Sequence, residues 1–223
     1  MNGPIDWFPL WLSLRVAVIA TFFVLTAGTF IAYLLSHKSF RGRNLVDSLV
    51  TLPLVLPPTV LGYYLLVLLG HASPFGRLYE SIFRHPLVFT WQAAVVAAFV
   101  HSAPIYIKAA RAVLESVDYR YEWAARSLGA SEWRTFWRIT LPLSARGLGS
   151  LATLAFARSL GDFGVTIMLA GNIPGRTQTL SVAIYDAVEA GDGRLARILV
   201  LLISAVTLAL LWPASYAARA PER

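Results

Sequence analysis

Cysteine is absent from the 223 residues, so neither a disulfide nor a thiolate metal site exists here, and the redox compartment leaves no mark on the chain. Charge is scarce too: Asp, Glu, Lys and Arg make up 14% of the residues against 57% that are hydrophobic. No tract is polar enough for a soluble domain of any size, no cluster of Asp, Glu or His has metal-ligand spacing, and no internal repeat is evident. Also missing are the alternating ten-residue segments that mark a membrane β-barrel. What is present are apolar runs of about 20 residues, charge-free in every case but the fourth, the length an α-helix needs to cross a hydrocarbon core roughly 30 Å thick. Peptide groups in lipid must bond one another, so each run reads as a helix. The fold class is all-α, and the chain reads as an integral membrane protein.

Five such runs stand at 16–36, 49–70, 87–107, 147–171 and 198–218, and with their flanks they predict spans at about 12–36, 46–70, 88–114, 146–171 and 196–218 of a single transmembrane domain, 1–223. Residues 1–14 hold no Lys or Arg, and the first run is long, so it reads as a retained span rather than a cleavable signal. The net charge of +7 is not a nucleic-acid footprint, because the basic residues are divided among loops rather than gathered in a stripe. Lys38, Arg41 and Arg43 follow the first run; Arg111, Arg120, Arg126, Arg134, Arg138 and Arg146 follow the third; Arg219 and Arg223 form the tail. Those segments share one side, which the charge bias makes cytoplasmic, and the N-terminus then lies outside. On the other side Arg77 and Arg84 stand with Glu80, and Arg176, Arg194 and Arg197 with Asp186, Glu189 and Asp192. Trp7, Phe8, Trp11, Trp91 and Trp212 fall near run ends, where amphipathic rings favour the interface between lipid and water.

The second run carries Pro53, Pro57 and Pro58, each lacking an amide donor, so a kinked or broken helix is expected there, either as a tolerated kink or as a discontinuity lining a pathway. "HASPFGRLYESIFRHP" reads as an external loop with a short amphipathic helix, and residues 179–190 as a second short helix, external or partly re-entrant. The long polar island lies at 115–145, between the third and fourth runs. Its centre, "EWAARSLGASEWRTFWRITLP", has Val117, Tyr121, Ala124 and Leu128 in one helical stripe, then Gly129 where a left-handed residue ends a helix. Ser131 suits the N-cap of a second helix, in which Trp133, Phe136, Trp137 and Thr140 recur on one face, and Pro142 marks the approach to the fourth run. Periodicity leaves two readings open: a hairpin lying on lipid, or a docking surface for a cytosolic partner.

The spacing Ala124-Ala125, three residues, Gly129, nine residues, Ile139, one residue, Leu141-Pro142 resembles the EAA motif of membrane permeases of ATP-binding cassette importers. "LPLVLPPTVLGYYLL" and "FARSLGDFGVTIMLAGNIPGRTQTL" are similar to the molybdate group of that family, and less closely to its tungstate and sulfate groups. The resemblance implies a type I importer permease fold in which the loop acts as a coupling helix seated on a cytosolic ATPase dimer. It implies two copies of this chain in the lipid, an external or periplasmic oxyanion-binding protein, no nucleic acid, and a transport subunit rather than an enzyme. It has no cofactor of its own, since no G-x-x-x-x-G-K-[ST] loop is present and ATP with Mg would sit on the separate ATPase. The coupling positions are Glu122, Trp123, Ala124, Ala125, Gly129, Trp133, Phe136, Ile139, Leu141 and Pro142. At the family's Glu position this chain has Trp123, and Glu122 precedes it by a rotation of about 100° on a helix.

Arg158 and Asp162 stand four apart in the fourth run, where each alone would cost about 2.5–3.5 kcal/mol at mid-membrane. Mutual pairing or a watery cavity is therefore expected, with the pair a strut between helices or part of a gate with Pro57 and Pro58. His101, with Ser102 and Pro104, reads as path lining or as a buried imidazole bonded to a neighbouring helix. A membrane-embedded enzyme would need clustered acids or His at a boundary, and an ion-gradient carrier would need inverted repeats and more intramembrane acids; neither pattern occurs.

Overall fold

A computed structural model describes residues 6–38 and 40–218, and the tail arginines Arg219 and Arg223 lie outside the described residues. Among the described residues every regular element is helical. Pro9, set in the first turn where its missing amide is harmless, opens α1 (Phe8–Phe23). A π turn (Val24–Gly28) joins it to α2 (Thr29–His37), so that Phe8–His37 forms one 30-residue apolar rod. In that turn Thr26 Oγ1 bonds the carbonyls of Phe22 and Phe23, and Gly28 lets the Tyr106 ring approach to where a Cβ would lie only 2.9 Å away.

The expected break in the second run is present. α3 (Arg43–Val55) ends at Leu56 and Pro57, both extended (ψ 140° and 138°), and α4 (Pro58–Leu69) restarts beyond them. α5 (Pro74–Phe83), capped by Ser73, is the short helix read in the loop, and it lies at 62° to α4. α6 (Trp91–Glu115) runs through the middle of the bundle against α1, α2, α3 and two later helices. It can do so because Ala93, Ala94, Ala97, Ala98 and Ala110 are completely buried on it, and small side chains let neighbouring backbones close in without lipid between them.

α7 (Tyr119–Ser127) and α8 (Glu132–Thr135) follow; α8 passes through a second π turn (Phe136–Thr140) into α9 (Leu141–Leu160). The second half of the polar island is therefore continuous with the fourth run, as one 29-residue rod, Glu132–Leu160, where the sequence suggested a separate helix and a start near 146. The π turn immediately precedes Leu141, so Pro142 falls in the first turn of α9 and not in the interior of a regular helix. α9 also stops short of 171: it ends at Gly161, and α10 (Gly164–Leu169) begins after Phe163. α11 (Leu180–Glu189) and α12 (Gly193–Ala218) complete the chain. Among the described residues four helices are long and apolar enough to cross a membrane, or five if the bent pair Pro58–Leu69 and Pro74–Phe83 forms one span.

Candidate functional site

The polar island is built around two capped helices. Asp118 accepts from the Arg120 amide to open α7, and Gly129, at φ +83°, closes it while the Ala130 amide bonds back to the Ala125 carbonyl. Ser131 Oγ accepts from the Arg134 amide at 3.3 Å to open α8. Trp123 is 71% exposed and Leu128 89%, with Tyr119 and Tyr121 also exposed, so α7 presents an apolar surface left uncovered among the described residues. Ala124, Gly129 and Pro142 are exposed, Ala125, Ile139 and Leu141 half-buried, and Phe136 buried.

Glu122 stands one residue before the position at which the resemblance places Glu. It is a buried carboxylate at a junction of three elements. Its Oε1 accepts from Thr140 Oγ1 at 2.6 Å in the π turn and lies 3.0 Å from His37 Nε2 at the end of α2. Its Oε2 lies 3.4 Å from Arg126 Nη2, one turn along. His37 is itself stacked on Tyr33, whose ring packs on Phe136 at 4.5 Å between centroids. Next to it the exposed Lys38 and Glu132 pair. The rotation that separates Glu122 from Trp123 thus sends one inward and the other outward, and the inward one ties α7 to both the first rod and the fourth. Tyr33, His37 and Thr140 as parts of this junction escaped the sequence; only the polar character of His37 and Lys38 at a run end hinted at it.

The second candidate region lies where two broken helices meet. Pro58 Cβ is 2.6 Å from where a Cβ on Gly164 would stand, and Gly62 faces Met168 as closely, so the break at Leu56–Pro57 packs directly on the break at Gly161–Phe163. Asp162 is buried and does not pair with Arg158. The helix ends between them, which dissolves the i, i+4 geometry, and Asp162 Oδ2 instead accepts from the Thr166 amide (3.1 Å) and hydroxyl (2.5 Å) at the start of α10. Its Oδ1 has no hydrogen bond and sits 3.9 Å from His101 Nδ1. Arg158 is exposed and has no acidic partner among the described residues. Ser102 bonds the Ala98 carbonyl and receives Ser159 Oγ at 3.0 Å, joining α6 to α9. Pro57 and Pro58 are exposed at the same break. Among the described residues no group of acids or His could hold a metal.

Against known proteins, residues 24–221 match the family described as "Binding-protein-dependent transport system inner membrane component". The molybdenum transport system permease protein ModB of Escherichia coli is 44% identical over 208 residues, covering 92% of this chain and 91% of that one. The putative molybdenum transport system permease protein YvgM of Bacillus subtilis is 41% identical over 204 residues, 92% and 90% of the two chains. The sulfate transport system permease protein CysT of E. coli is 34% identical over 200 residues, 90% of this chain and 72% of that one. In fold, the chain superimposes along its whole length on a chain from an inward-facing structure of the MetNI methionine ABC transporter, with TM-score 0.75 at 20% identity. It also superimposes, over 98% of its length and 80% of the other chain, on one from a bacterial alginate ABC transporter in complex with a pentasaccharide-bound periplasmic protein, with TM-score 0.73 at 16% identity. The chain belongs to the inner membrane components of binding-protein-dependent transport systems, and is a ModB-like permease subunit with the type I ABC importer fold.

Proposed function

We propose that two copies of this chain form the membrane path of an importer for molybdate, loaded by an external binding protein and driven by ATP hydrolysis on a separate pair of cytosolic subunits. The observation that carries the coupling part is the pairing of an uncovered apolar face on α7 with a buried carboxylate on its other side. Trp123, Tyr119 and Leu128 supply the kind of aromatic and aliphatic anchors that concentrate binding energy when a partner's groove excludes water. Glu122 joins that helix to His37 and Thr140, so a push on α7 is delivered to the first and fourth rods together. ATP and Mg belong to the partner subunit.

The substrate rests on the relatives: the molybdenum permeases stand at 44% and 41% identity and the sulfate permease at 34%. The meeting of the two broken helices is the proposed gate, with Pro57, Pro58 and Asp162 fixing its shape and the unpaired Arg158 offering a cation to a passing dianion. The N-terminus is external and the C-terminus cytoplasmic in this reading. The test is uptake into proteoliposomes holding permease, ATPase and binding protein. Uptake of molybdate should require ATP and be competed by tungstate more strongly than by sulfate; the reverse order overturns the substrate. Arg158→Gln with full assembly should lower uptake, and unchanged uptake removes Arg158 from the gate.

A further inference from the structure

Between the first rod, α6 and the Glu132–Leu160 rod lies a groove of ≈ 580 Å³, bordered by Trp133, Phe136 and Leu141 of the coupling block and without Trp123 in its walls. That is within the size range of ligand sites. Its walls include Leu25 and Phe30 on one rod and Trp133, Trp137, Leu148 and Gly149 on the other. Away from the exposed Trp133 and Trp137 rings, the polar side-chain atoms in its lining are already bonded: Thr26 Oγ1 to carbonyls of its own helix, and Thr29 Oγ1 to the Tyr106 hydroxyl at 2.7 Å. The donors left over are the two indole N–H groups at the exposed end, so the deep part of the groove takes hydrocarbon. Its floor has space to fill: a Cβ on Gly149 would meet nothing within 4 Å.

Depth and charge identify the guest. Leu25 to Phe30 precede His37 by 7 to 12 residues, which at 1.5 Å per residue is about 10–18 Å, the depth of one leaflet. At the shallow end Trp133 and Trp137 are each 60% and 51% exposed, and the residues that follow them, Arg134 and Arg138, are exposed with no acidic partner among the described residues. An aromatic pair whose sequence neighbours are two exposed cations, at the end of a dry slot one leaflet deep, complements an anionic phospholipid, with acyl chain in the slot and headgroup reached by the arginines. Arg158, the cation of the proposed gate, lies about 120° around α9 from the groove residues Leu148, Gly149 and Ala152, so the gate and the groove do not compete for one surface.

We propose that this groove binds an anionic phospholipid of the cytoplasmic leaflet, which wedges the α8 end of the coupling block against the first rod. The consequence for coupling rests on the function proposed above; the lipid site itself is read without ATP or substrate.

The full permease, with its ATPase, is placed in nanodiscs of phosphatidylcholine and phosphatidylglycerol, either lipid bearing a photoactivatable acyl chain. Crosslinks should fall on residues 25–30 and 133–152, with phosphatidylglycerol favoured by about thirtyfold, as two interfacial arginines would give. Gly149→Phe, or Ala152→Leu if the larger residue hinders assembly, should remove the crosslink while the complex still co-elutes with its ATPase. The double change Arg134→Gln with Arg138→Gln should keep the crosslink and erase the preference for phosphatidylglycerol. Labelling spread evenly around the bundle, labelling unchanged by a filled groove, or crosslinking of the groove to a second copy or to the ATPase overturns the proposal.

Discussion

The dipeptide Glu-Trp occurs twice in the polar island, at 122–123 and 132–133, once on each side of Gly129, and the fold uses the two in opposite ways. Glu122 is buried with three partners, and Trp123 is turned outward and 71% exposed. Glu132 is exposed and held by Lys38 alone, and Trp133 is half turned into the groove beside Phe136 at 6.1 Å. Helix rotation set by each cap makes the difference. The same two residue types give a junction and a docking anchor in α7, and a surface ion pair and a groove wall in α8.

Four substitutions probe that contrast. Glu122→Ala should do the most damage, since it strips Thr140 and His37 of a buried partner; the loss is on the order of 3 kcal/mol, read as a fall in the thermal midpoint of the purified complex together with loss of uptake. Trp123→Ala should leave the midpoint unchanged and weaken ATPase binding by about 2 kcal/mol, roughly 30-fold, measured by titrating the ATPase onto permease in nanodiscs. Thr140→Val keeps the shape and removes the hydroxyl that Glu122 accepts from, for about 1 kcal/mol in the same melting experiment. Glu132→Ala should be smallest, without a measurable change in midpoint, because its pair with Lys38 is exposed to water. Equal effects of the two Glu→Ala changes would erase the distinction between the two pairs.

Much of this region was legible in the chain. Gly129 in the left-handed region, Ser131 as a cap, the break at Pro57 and the helices at 74–83 and 180–189 all follow from local chemistry, and each is found. The EAA spacing placed the block in a family before any fold was known. What stayed hidden is non-local or fell between regular geometries. The Glu122–His37 contact joins residues 85 apart, and no local pattern encodes it. Arg158 and Asp162 sit four apart, but that spacing places them together only if the helix continues, and it ends at Gly161. The π turns before Thr29 and Leu141 shift the helical phase without a sequence signature of their own, which is why the fourth rod reaches back to Glu132.

The central claim is that the outward face of α7 is the seat of the ATPase. Because the chain contains no cysteine, Trp123→Cys supplies a single thiol at the centre of that face. The account expects a short thiol crosslinker on it to capture the ATPase subunit in the assembled importer, with a yield that changes between ATP-bound and nucleotide-free states, while Trp133→Cys does not. Capture through Trp133→Cys alone, with Trp123→Cys inert and uptake by that variant unimpaired, would contradict it.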